Sequence, residues 1–216
     1  MTDIGEEPLY PALAVHRREP DEQLTRGGDP LPLTLLDFWQ WSNSDLISNV
    51  ARGVLAEFLV ASAVGAANRP RDPWADFDVL DPTGISIEVK SSAYIQAWSQ
   101  TRRSDIKFKV KATRPVALGP DILDVPSRRA QLWVLALLHH DDQATLNPLD
   151  VSQWTFYVIP TWFFDARTRS QHSITLASLE ACEFGERVSY ERLAEAVRHV
   201  AALPVPLSDP SARFDS

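Results

Sequence analysis

The chain reads as one α/β domain, a mixed central β-sheet flanked by helices. Three stretches carry that reading. Residues 45–64 repeat apolar side chains at helical spacing, and residues 76–90 form two short alternating segments around a tight turn. The run from Gln131 to Leu138 is almost wholly apolar, as in a strand buried on both faces. Helix, hairpin, further strands and a closing helix, in that order, build a sheet covered by helices. The length of 216 residues suits a single domain, and 44 % hydrophobic with 23 % charged residues is an ordinary globular balance.

Residues 1–33 contain five prolines and Gly27-Gly28 without sustained periodicity, and are expected to be an extended or disordered N-terminal arm. The folded domain is expected over 34–203 and a disordered tail over 204–216. Within the domain, 33–41 is a short apolar helix rich in aromatics. Ser42, Asn43 and Ser44 offer N-caps for the next helix, which runs to about Val64 with Gly65 as its stop. On that helix Leu46, Ile47, Val50, Val54, Phe58 and Ala61 share an arc, taken as the core face, with Ser48, Asn49 and Arg52 on the polar side. Glu57 falls inside the apolar arc, where a carboxylate needs an ion pair, a backbone amide or a metal. Gly53 in mid-helix costs about 1 kcal/mol relative to Ala and hints at a close approach.

A loop by composition follows over 68–74, and then the hairpin. Asp81-Pro82-Thr83-Gly84 is turn chemistry. Alternation puts Glu88 and Lys90 on one strand face, with Ile87 and Val89 on the other. Residues 91–100 read as a loop or short helix. Residues 106–111 alternate cleanly, a strand with one apolar and one cationic face. Prolines make 115–127 a loop. A strand over 154–159 ends at Pro160, and a helix runs from Glu191 to about Ala202.

No apolar run approaches the roughly 18 residues that span a bilayer. The opening residues lack a secretory pattern, so the cytoplasm is the expected compartment. One cysteine, Cys182, excludes an internal disulfide and reads as a structural residue. The adjacent His139, His140, Asp141 and Asp142 point in alternating directions, which disfavours a metal cluster. Net charge is −8, but every lysine lies between Lys90 and Lys111. Arg102, Arg103, Lys107, Lys109, Lys111 and Arg114 face a single acid, Asp105, over 102–114. A local positive field matters more to a polyanion than net charge.

Asp78, Glu88 and Lys90, with Glu57 on the preceding helix, make a set suited to a divalent cation beside a phosphate. These residues resemble the PD-(D/E)xK nuclease superfamily, and residues 87–92, Ile-Glu-Val-Lys-Ser-Ser, are typical of it. The resemblance implies a restriction-endonuclease-like core over about 44–160 and a nuclease domain within 34–203. It implies an enzyme that hydrolyses phosphodiester bonds of DNA, an endonuclease of restriction, repair or phage-defence type, with Mg²⁺ as cofactor and Mn²⁺ as substitute. Asp78 and Glu88 would then bind metal, Lys90 would assist the attacking water, and Glu57 would complete the shell. The superfamily's Pro-Asp is absent, since Phe77 precedes Asp78, and Asp76 is a rival ligand of the same parity.

Substrate contacts are expected from Gln96, Gln100, Arg102, Arg103, Lys107, Lys109, Lys111 and Arg114, with DNA as the polyanion and RNA not excluded. The acidic balance leaves room for a homodimer or a partner protein that supplies DNA affinity. The alternative function is a non-catalytic nucleic-acid-binding or assembly subunit that retains the nuclease fold.

Overall fold

The computed structural model describes residues 10, 13–113, 126–166 and 172–206. Arg114, most of the loop expected over 115–127, and residues 207–216 of the expected tail lie outside the described residues.

The chain enters through β1 (Gln23–Arg26) and β2 (Asp29–Thr34), paired antiparallel. Gly27 and Gly28, at φ of 60° and 100°, make the two-residue turn between them, a backbone closed to most other residues. The hairpin lies within the stretch expected to be an extended or disordered arm, of which residues 1–9, 11 and 12 lie outside the described residues. Then come α1 (Leu35–Asn43), opened by a Thr34–Asp37 capping box, and α2 (Asn49–Ala63), capped by Ser48. The second helix thus starts later than expected, because Asp45 accepts the Ile47 and Ser48 N–H groups in a turn of its own.

Next are β3 (Val79–Leu80), β4 (Ser86–Ala93) and β5 (Lys107–Lys109). They are followed by β6 (Leu132–Leu138), β7 (Trp154–Pro160), α3 (Thr161–Ala166), β8 (Ser173–Thr175), α4 (Leu176–Glu180) and α5 (Leu193–Ala201). The central sheet has the order β3-β4-β6-β7, with β4 and β6 parallel and the outer pairs antiparallel. It is the expected mixed sheet flanked by helices. The cationic strand β5 pairs with β8 in a separate two-stranded sheet.

Every residue of β6 is buried, as its apolar run requires, and its parity divides the core in two. Leu132, Val134, Ala136 and Leu138 pack with Ile87 and Val89 beneath α2 and α5. Trp133, Leu135 and Leu137 pack on the opposite face with Phe108, Phe163, Phe164 and Ile174.

The face of α2 turned to the sheet differs from expectation. Ala51, Ala56, Leu59 and Val60 are buried, and so is Arg52, whereas Val50, Val54 and Phe58 face outward. Helical period fixes which residues share a stripe and does not say which stripe meets the core. The small side chains of Ala51 and Ala56 let the helix lie close to the sheet. Gly53 plays no part in that approach, since a Cβ placed there meets nothing within 4 Å.

Candidate active site

The site forms where β4 outruns its neighbour. β3 pairs only with Ser86 and Ile87, so the outer edge of β4 is uncovered by strand beyond that point. The Asp78 side chain takes over: its Oδ2 accepts the Val89 N–H at 2.7 Å, while its own N–H donates to the Ile87 carbonyl at 3.1 Å. An edge amide that a longer β3 would have used therefore orients a carboxylate.

Glu88 and Lys90 project from one strand face, as the alternation predicts. Lys90 Nζ lies 2.5 Å from Glu88 Oε1, 3.7 Å from Asp78 Oδ2 and 3.1 Å from the Val89 carbonyl. Its ammonium also sits 5.8 Å from the centre of the Trp133 ring, a cation–π distance. Burial pushes the Glu88 carboxyl above its ordinary range; the charge of Asp78 adds to that push, and Lys90 opposes it without cancelling it. Burial alone would lower Lys90, but Asp78 and Glu88 outweigh it and hold the ammonium above its ordinary range. Lys90 therefore carries its proton at neutral pH and acts as a cation.

Glu57 approaches from α2. Both of its carboxylate oxygens accept from Arg71, Oε2 from Nε and Oε1 from Nη2 at 3.0 Å. Glu57, Arg71 and Asp78 line one cavity of about 400 Å³, walled on its apolar side by Val54, Phe58 and Phe77. A second, larger cavity of about 630 Å³ lies along α5 and contains none of these residues. The rival ligand Asp76 is turned to Arg129, whose Nη1 is 3.1 Å from its Oδ1.

The donor chemistry fits a hard divalent cation. Asp78 and Glu88 already flank one positive centre with oxygen atoms, and Mg²⁺ is commonly held by one or two carboxylates with substrate oxygens and water supplying the rest. Among the described residues no group of three His, Cys, Asp or Glu side chains gathers as a metal cluster. His139 and His140 instead bond to Thr155 and Thr145.

The other expected contacts divide. Lys107, Lys109 and Lys111 are exposed. Lys107 and Lys109 lie on β5, with Lys111 just beyond it, and β5 belongs to the layer covering the sheet face from which Lys90 reaches Trp133. Arg102 is paired with Asp105, and Arg103 with Asp141. Gln96 and Gln100 face inward. Gln96 donates to the Ala93 carbonyl and Ser104 Oγ, and Gln100 donates to the Tyr94 carbonyl and Ser104 Oγ, so the pair shapes the segment after β4.

Residue-type reasoning missed three arginines. Arg71 and Arg129 fix the carboxylates on either side of Asp78; the one available signal for Arg71 was a basic loop just upstream of the hairpin. Arg52 was assigned to the polar side of α2. It is buried, donating to the Ile47 carbonyl, Asn49 Oδ1 and Gln96 Oε1, with its Nε unpartnered. Burial pulls its pKa down, and it ties α2 to the end of β4.

Residues 35–168 match the model of the bacteriophage T4 endonuclease IV family. The chain belongs to that family. The match covers well over half of the endonuclease and contains Glu57, Asp78, Glu88 and Lys90, and it begins at α1, beyond the β1–β2 hairpin. No curated protein matches the chain. No described helix of this nuclease is long and apolar enough to cross a membrane.

Proposed function

We propose that the chain is a Mg²⁺-dependent DNA endonuclease of PD-(D/E)xK type, with its cleavage centre at the free edge of β4. The observation that carries the reading is the convergence of Asp78, Glu88 and Lys90, in an endonuclease family, around one cationic centre.

Asp78 and Glu88 would hold the metal, and Mn²⁺ should substitute for it. When bound, the cation supplies charge neutralisation at the scissile phosphodiester. Asp78 is oriented by the Val89 amide, which donates to its Oδ2. Lys90, fully protonated, positions the attacking water through its N–H groups and offsets negative charge developing on the phosphate oxygens. The Glu57–Arg71 pair holds the wall beside Asp78. Lys107, Lys109 and Lys111 form a row of exposed cations that can follow a phosphate backbone on the same side.

Covalently closed circular DNA tests this reading, because an exonuclease finds no end on it. The expected result is nicked and linear product with Mg²⁺ or Mn²⁺ and none with EDTA. Intact circles beside degraded linear DNA, or cutting that persists in EDTA, would overturn it.

A further inference from the structure

The arm formed by β1, β2 and α1 makes no hydrogen bond or ion pair to the body of the protein among the described residues, and neither core cluster includes any part of it. Its backbone bonds close on themselves, Leu35 N–H to the Glu22 carbonyl and Leu36 N–H to that of Pro20, both 2.9 Å. No residue of α1 is buried, and Trp41 is 85 % exposed, with Leu33, Leu36, Phe38 and Trp39 open beside it. A helix of nine residues is marginal in water without packing. The body carries a matching defect. On α2, Val50 (80 % exposed) and Phe58 (56 %) bracket Val54 in an outward stripe at spacings of four.

We propose that the arm docks on the α2 stripe of a second copy of this chain, giving a twofold dimer held by two reciprocal arm–stripe contacts. Val50 lies in the first turn of α2, and α1 ends at Asn43, so the stripe begins close in the chain to the root of the arm. Phe38 and Trp41 share one side of α1. A fully covered aromatic side chain buries about 150–250 Å², so these two with Phe58 at their present exposures offer about 300–500 Å² per copy. Val50 and Val54 add to this, giving an interface at the small end of the specific range, under about 1,200 Å² in total. Charge agrees: Asp21 and Asp29 on the arm, and Arg69 near the far end of the stripe, form no ion pair among the described residues. Val54 and Phe58 also line the cavity containing Glu57 and Asp78, so the docked arm would wall one side of the cleavage centre.

Sedimentation of the full chain, without DNA or metal, tests this apart from any nuclease activity. A species of twice the 24.2 kDa chain mass is expected. Trp41→Ala and Phe58→Ala should each weaken association about 30-fold or more, the cost of losing a buried aromatic anchor. Both side chains are exposed in the single chain, so both variants should keep its circular dichroism. A wild-type chain still monomeric at about 100 μM, or variants that dimerise like wild type, would each overturn the proposal. Monomers whose Trp41→Ala variant loses affinity for single-stranded DNA would assign the surface to nucleic acid instead.

Discussion

Arg71 grips Glu57 with two guanidinium nitrogens, joining α2 to the loop that leads into the hairpin. The hydrogen bond to Glu57 raises Arg71 further above an already high pKa, so the guanidinium keeps its charge at every working pH. Arg71→Ala should lower stability by about 1 kcal/mol, a value kept small by the partial exposure of Arg71. In a chain of this size that is a fall in Tm of about 2–4 °C. The double variant with Glu57→Gln should lose less than the two single changes added together, because the carboxylate left unpaired is then gone.

Gly53 stands in the middle of α2 with open space where a Cβ would lie. Gly53→Ala should raise stability by about 0.5–1 kcal/mol through helix propensity alone, as read by thermal or urea unfolding. A loss of stability there would mean that something packs against this position in the working protein.

Asp81 closes the hairpin that carries Asp78 and Glu88. Its Oδ1 accepts the Thr83 and Ile85 N–H groups, both at 2.8 Å, and the Thr83 hydroxyl. Burial would raise its pKa, but these donors outweigh it and the net shift is downward from 3.8. A depressed carboxylate adds stability that is present above its unfolded pKa and is lost as pH falls through the folded one. Asp81→Ala should cost about 1–3 kcal/mol at pH 7 by stranding two amides. The gap from wild type should narrow below about pH 3.8, the ordinary aspartate value, in unfolding measured across pH.

Lys90 is held protonated by two carboxylates, which sets its role apart from that of a base. Lys90→Ala should lower the cleavage rate about 100-fold or more, and Lys90→Arg should recover part of the loss. Equal rates in Lys90→Ala and wild type would remove the ammonium from the account.

Much of the sheet was legible because β4 and β6 advertise their surroundings. Ile87 and Val89 alternate with Glu88 and Lys90, and β6 has no polar residue that solvent could claim. The stripe of α2 was misread because Val50 and Phe58 are more apolar than Ala51 and Ala56, while the sheet needed the smaller pair. The β1–β2 hairpin had its signal in Gly27-Gly28, hidden among prolines that read as disorder. Residue type also misled at Gln96 and Gln100, whose amides satisfy backbone carbonyls rather than reach outward. Arg71 and Arg129 are set by tertiary contacts to Glu57 and Asp76, and no local pattern announces those.

The most direct measurement is the single-turnover rate of DNA cleavage, at saturating protein and Mg²⁺, for wild type, Asp78→Asn and Glu88→Gln. The site at the edge of β4 predicts rates lower by about 100-fold or more in both variants, with unfolding curves close to wild type. Rates within about twofold of wild type in either variant would place the cleavage centre elsewhere on the chain.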